Sequence, residues 1–360
     1  MNRKFPHCFG TFGPGLEVCR VCYARVQCQD RTTRPRRDRQ QVVQAGVWEG
    51  EITGPDFELG HTLGSGQVFR WGRDADGWWK GIAYGTAFHL RQKGDRIAFK
   101  ASAEGVKTYA GEMGVRDFLV WYLRTDEAPR VRVPRQDRHL RKARGLLRGL
   151  RFVRQDPFEC MISYILSVQA HMNLTKRRIN FLARILGEGI LFLGERYWTF
   201  PRPEALSDLN GDYYRRHKFG WRSERVAMAA RYMAEQLEDM DRSWDLGVWQ
   251  EVGQGLYELS GSGVGLKVAK CIDLFSLDRL DAVPVDTWVR KMAKDWYGVT
   301  GSDAKICAWA EERGGKWAGY MNEYLFAYYR ELNGQTIYDQ VLSFCETEIP
   351  SAELPFETSG

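Results

Sequence analysis

A chain of 360 residues with 44% hydrophobic and 13% aromatic side chains is long enough for two or three domains and too apolar to be disordered. Its 52 basic and 46 acidic residues leave a net charge of +6, which suits a polyanionic partner. The opening MNRKFPHCFG lacks the apolar core of a secretory signal, and no apolar run approaches the ~18 residues of a membrane span. The expectation is a monomer of the cytoplasm and nucleoid, or of a nucleus, neither secreted nor bound to a membrane.

The first 30 residues hold Cys8, Cys19, Cys22 and Cys28 in the spacing C-x10-C-x2-C-x5-C. A CxxC core with two flanking thiols fits tetrahedral thiolate ligation in a reducing compartment. Zinc is the expected metal, with a [4Fe–4S] cluster as the alternative. Cys160, Cys271, Cys307 and Cys345 are scattered through apolar surroundings and read as ordinary buried thiols. Residues 31–46 open with RTTRPRRDRQ, a solvated linker or a track for a phosphate backbone.

From residue 47 to about 133 the pattern alternates between glycine turns, as in VFRWGRD, GWWKGIAYG and AFHLRQKGDRIAFKA. That alternation predicts an antiparallel sheet, with one or two helices near residues 103–123. From 134 to about 342 the chain reads as all-helical, followed by a polar tail at 343–360. Arg138, Arg141, Arg144 and Arg148 fall on one face of a predicted helix, a solvated stripe or a nucleic-acid contact. Asp156-Pro157 is a strong helix start, with a capping carboxylate followed by proline at the first helical position. The fold class is therefore α+β: a small four-cysteine metal module, an antiparallel β domain and an all-α domain.

The chemistry concentrates in LSGSGVGLKVAKCI, residues 259–272. Gly261, Gly263, Val264 and Gly265 form a tight turn between two helices, and such a turn leaves backbone N–H groups free for phosphate. Val268, Cys271, Ile272 and Phe275 then mark the buried stripe of the second helix. Lys267 sits in its first turn, the wrong end for a stabilising cation. A nucleophilic amine must be neutral, however, and a helix N-terminus and partial burial both disfavour the charged form. Further on, VPVDTWVRKMAKDW predicts Asp286 as the cap of another amphipathic helix. A helix of about 11 residues and the connection after it are long enough to bring Asp286 back to Lys267.

These residues resemble the 8-oxoguanine DNA glycosylase family of the helix-hairpin-helix/Gly-Pro-Asp superfamily. The likeness runs from about residue 57 to 330 through GSGQVFRW, RQDPFECMISYILS, KFGWRSERV, GVGLKVAKC, VPVD and WAGYMNEYLFAYYR. It implies a bifunctional glycosylase and abasic-site lyase acting on damaged duplex DNA, with no cofactor for catalysis. Lys267 would attack the sugar C1′ to form a Schiff base, and Asp286 would stabilise the cationic sugar. By the same likeness the Gly66 carbonyl would read N7–H of 8-oxoguanine, Cys271 and Phe326 would sandwich the base, and Trp221 would wedge into the duplex. Asn322 stands where the family has a pocket glutamine, and Trp288 where it often has a histidine. Gln169 and His171, in place of an asparagine run, would fill the hole left by the flipped base and face the orphaned partner. A glycosylase for another damaged base, such as an alkylated purine, and a non-catalytic DNA-binding protein are the alternatives.

Overall fold

The computed structural model describes residues 42–238 and 245–334; the four cysteines of the expected metal module, the arginine run, Cys345 and the polar tail lie outside them. Alternation in the β half folds into a five-stranded antiparallel sheet. Its strands are β2 (Trp48–Thr53), β3 (Trp71–Arg73), β4 (Trp79–Ala83), β5 (Thr86–Lys93) and β6 (Arg96–Ala101), in the order β2-β6-β5-β4-β3. The central register pairs Phe88 with Ala101 and Leu90 with Phe99. These side chains bury against Phe118, Leu119, Tyr122 and Leu123 of helix α2 (Val115–Leu123). A preceding two-stranded ribbon, β7 (Gly105–Thr108) with β8 (Gly111–Gly114), leads into that helix. The short helix α1 (Leu59–Gly64) ends just before the loop that carries Gly66.

The second half is mainly helical, but it is not all-α. After α3 (Arg138–Leu146), α4 (Pro157–Ser167) and α5 (Met172–Leu186), the segment GILFLGERYW forms a hairpin of β9 (Gly189–Phe192) and β10 (Glu195–Trp198). Leu193 and Gly194, at φ of 50° and 83°, supply the two-residue turn whose twist suits antiparallel strands. A further strand, β1 (Val42–Gln44), joins the hairpin in parallel beside β9. The end of the stretch expected as linker is thus part of a sheet. This small sheet covers the outer side of the five-stranded one, where Ile82, Ala87, Phe192 and Tyr197 form a separate apolar cluster and His89 Nε2 lies 2.8 Å from the Tyr197 hydroxyl. That cover explains why β5 is buried on both faces over its first five residues.

The remaining helices are α6 (Pro203–Ser207), α7 (Gly211–Arg216), α8 (Ser223–Glu238), α9 (Leu246–Glu258), α10 (Leu266–Ser276), α11 (Thr287–Tyr297), α12 (Asp303–Gly314) and α13 (Ala318–Leu332). They enclose one continuous core that includes Val268, Ile272, Met292, Ala293, Met321 and Leu325. Asp156 caps α4 through a bond from Glu159 N (2.9 Å), with Pro157 at the first turn. Arg138, Arg141 and Arg144 lie exposed on α3, and Arg148 beyond its end is exposed as well. Among the described residues no helix is long and apolar enough to cross a membrane.

Polar groups stitch the two halves together. Gln67 is 2% exposed; its amide donates to the carbonyls of Thr62 (2.7 Å) and Arg151 (2.9 Å), and its Oε1 accepts from Val153 N (2.8 Å). At the end of α2, the buried Arg124 pairs with Asp278 and Glu127, and Arg154 closes the square with bonds to the same two carboxylates.

Candidate active site

A cleft of about 380 Å³ opens where the loop after α1 meets α4, α5, α10, α11 and α13. That size falls within the range of small-molecule and base-sized sites. Lys267, Cys271, Asp286, Gly66, Asn322, Phe326 and His171 all line it, so the fold brings together seven residues expected from sequence to act near the lesion. Gln169, Trp221, Gly261, Gly263, Val264 and Gly265 are not among its lining residues; Trp221 and the turn around the buried Val264 lie outside it.

Lys267 is the second residue of α10, whose cap, Gly265, offers no side chain. Its amine lies 5.3 Å from the centre of the Tyr164 ring, a cation–π distance that fixes the side chain across the cleft wall. Burial pushes the Cys271 thiol up, while the adjacent Lys267 amine, by charge and by a hydrogen bond, draws it back down. Cys271 is therefore a neutral thiol at 3% exposure, a wall rather than a competing nucleophile.

Asp286 caps α11, and its Oδ1 accepts from both Trp288 N and Val289 N at 2.8 Å. Two backbone donors hold that oxygen at the helix N-terminus. A primary amine and a carboxylate on two helix N-termini can attack an electrophilic carbon and steady a positive charge beside it.

The upper wall comes from the β half. Gly66 has φ of 92°, a region that only glycine enters at low cost. The carbonyl of Gln67 is already occupied, by Gln155 Nε2 (2.8 Å) and the Tyr164 hydroxyl (3.1 Å). Among the described residues nothing donates to the Gly66 carbonyl. From α13 the Asn322 carbonyl oxygen is buried without a hydrogen-bond partner, and Arg330 stacks 5.2 Å over the Phe326 ring. An unsatisfied buried acceptor costs about 1–3 kcal/mol until something donates to it. His171 caps α5, and Gln169, exposed beside it, has φ of 50°.

Glu323 also lines the cleft, and sequence reasoning passed over it. It is 8% exposed, and burial first, then the nearby Asp286 charge, push its carboxyl up to about 7 against the pull of Arg330. An acidic residue between Met321 and Leu325, both core positions of α13, is the signal that would have exposed it.

The outer surface lies on the helical half. Gly261 and Gly263 have φ of 87° and 84°, and among the described residues no acceptor takes the amides of Gly263 or Gly265. Val264 is buried, and the Ser262 hydroxyl locks the turn by donating to the Leu256 carbonyl (2.7 Å) and accepting from Val264 N (3.1 Å). Trp221 is 45% exposed, with the Arg222 and Arg225 guanidinium groups 4.3 and 4.2 Å from its ring.

Known proteins resemble this chain in sequence and in fold. Residues 51–161 match the family model described as 8-oxoguanine DNA glycosylase, N-terminal domain. A Methanothermobacter thermautotrophicus protein named probable N-glycosylase/DNA lyase is 31% identical over 216 residues, covering 54% of this chain and 68% of that protein. The Arabidopsis thaliana protein named N-glycosylase/DNA lyase OGG1 is 28% identical over 68% of each chain. In fold, the chain is similar to Clostridium acetobutylicum 8-oxoguanine glycosylase/lyase, with a TM-score of 0.65 and 24% identity over 80% of this chain and 99% of that one. With a lysine and a carboxylate at the mouth of a base-sized cleft, and a glycine hairpin outside it, the chain belongs to the 8-oxoguanine DNA glycosylase (N-glycosylase/DNA lyase) family.

Proposed function

We infer that this protein is a bifunctional DNA glycosylase and abasic-site lyase that removes 8-oxoguanine from duplex DNA. The observation that carries this reading is the convergence of Lys267 and Asp286 on one cleft, each at a helix N-terminus. Phosphate binding alone needs neither group.

The hairpin amides at Gly263 and Gly265 hold the phosphate backbone, and Val264 anchors the turn in the core beneath them. Trp221, braced by two guanidinium groups, wedges into the stack as the lesion swings out, at a cost of a few kcal/mol in lost stacking and pairing. Gln169 and His171, at the rim, face the vacated position and the orphaned base. In the cleft the purine lies between Cys271 and Phe326. The unoccupied Gly66 carbonyl accepts the N7–H that separates 8-oxoguanine from guanine, and the Asn322 oxygen accepts from another donor on the base.

The Lys267 nitrogen attacks C1′ through its lone pair, the glycosidic bond breaks toward the base, and Asp286 stabilises the cationic sugar. Loss of a proton from nitrogen opens the sugar to a Schiff base, from which β-elimination cuts the strand on the 3′ side. No cofactor enters these steps. A zinc ion bound by the thiolates of Cys8, Cys19, Cys22 and Cys28 is part of the reading on the chemistry of that donor set, and it takes no part in the reaction. Such an ion would extend the DNA-contacting surface.

Borohydride trapping on a duplex with a single 8-oxoguanine opposite cytosine tests the reading. A covalent protein–DNA adduct is expected from the wild type and none from Lys267→Gln. An adduct that persists in the variant would remove Lys267 from the mechanism.

A further inference from the structure

Two carboxyl groups share the cleft, and their surroundings differ. Asp286 accepts two backbone N–H bonds at the start of α11. Glu323, on the facing helix α13, accepts no hydrogen bond and forms no ion pair among the described residues, although it is 8% exposed. The charged and titratable groups around it are Asp286 from α11, Arg330 from its own helix, Lys267 and Cys271 from α10, Tyr164 from α4 and His171 at the start of α5. Cys271 and Tyr164, the two groups against which Lys267 rests, line the same cleft as Glu323. A buried carboxyl without donors keeps its proton. Unequal surroundings of this kind divide two carboxyls into an acid and a stabilising anion.

We propose that Glu323 is the general acid of the glycosylase step, donating its proton to the departing base while Asp286 remains the anion beside the sugar. The proposal rests on the enzymatic reading above. As the Lys267 nitrogen bonds to C1′, the glycosidic electron pair leaves on the base. The Glu323 O–H bond breaks, its proton goes to the base, and the base departs neutral. The new secondary ammonium at Lys267 sheds its proton to solvent, the sugar O4′ takes a proton from solvent as the ring opens to the Schiff base, and the Glu323 carboxylate is reprotonated from solvent for the next turnover. A carboxyl held up to about 7 matches this exchange at neutral pH, because a proton carrier works best near the operating pH.

The test is single-turnover excision of 8-oxoguanine by wild type and Glu323→Gln at pH values from about 5 to about 9, bracketing about 7. Borohydride trapping on a duplex that already carries an abasic site runs in parallel. The acid form is the active one and every other titration is common to both enzymes, so the ratio of wild-type to Glu323→Gln excision, roughly 10² at low pH, should fall as pH rises through about 7. Trapping on the abasic duplex should stay within about twofold of wild type, because no base remains to be protonated. An unchanged rate and pH profile in Glu323→Gln would overturn the proposal and leave the glycosylase reading intact. Equal loss of excision and abasic trapping would also overturn it, assigning Glu323 a structural role. A wild type inert toward both duplexes would overturn the enzymatic reading and this proposal with it.

Discussion

Asp286 combines a structural bond with a chemical charge, and the two are separable. Both of its backbone bonds fall on Oδ1, so an asparagine there keeps the cap while removing the charge. Asn and Asp cap helices about equally well, whereas alanine at such a position costs about 1 kcal/mol. Asp286→Asn is therefore expected to unfold at the wild-type temperature and to excise 8-oxoguanine roughly 10²-fold more slowly. Asp286→Ala should lose both activity and about 1 kcal/mol of stability. Thermal unfolding beside single-turnover excision checks this, and near-normal excision by Asp286→Asn would remove the charge from the mechanism. The placement of Lys267 and Asp286 at helix N-termini, on which the proposed chemistry rests, was legible in sequence because caps and glycine turns are local signals. Glu323 was not, since whether an acidic side chain on a largely apolar helix faces a cleft or solvent depends on which elements pack around it.

Among the elements, the hairpin between α9 and α10 is linked through Arg225 to Trp221, the proposed wedge. A methyl group added at Gly263 would stand 2.6 Å from Cδ and 3.0 Å from Cβ of Arg225, the residue whose guanidinium braces Trp221. The φ of 84° there adds about 1–2 kcal/mol of strain for any L side chain. Gly263→Ala is accordingly expected to weaken binding to an undamaged duplex by roughly 5- to 30-fold, measured by fluorescence anisotropy at fixed salt. Affinity equal to wild type would dissociate the hairpin from DNA contact. Helices with a cap and an apolar stripe, such as α4, α10 and α11, could be read from their residues. The β9–β10 hairpin could not, because GILF is a short apolar run that suits a buried helix equally well. Its strand identity depends on the outer face of the five-stranded sheet and on β1, which pairs with it from about 150 positions earlier in the chain.

For the whole molecule, the seam between the β half and the helical half governs the site, because Gly66 comes from one side and Lys267 from the other. Arg124, 3% exposed at its side chain, depends on Asp278 and Glu127 to balance its charge in that seam. Removing one partner of a buried ion pair typically costs about 3–5 kcal/mol, since the other charge is left uncompensated. Glu127 remains, so the lower end applies: Asp278→Ala should lose about 3 kcal/mol in chemical denaturation. An unchanged denaturation midpoint would mean that water replaces the carboxylate and that the seam is held by packing.

The shared cleft has a cellular corollary. In the proposed function, the turn that holds phosphate and its tryptophan belong entirely to the helical half, whereas lesion reading also requires the loop at Gly66. A protein loosened at the seam would thus keep its hold on DNA while losing its ability to tell damaged from intact guanine. Such a variant is not a simple null: it would compete with intact copies for the same sites, and its harm would increase with its dose.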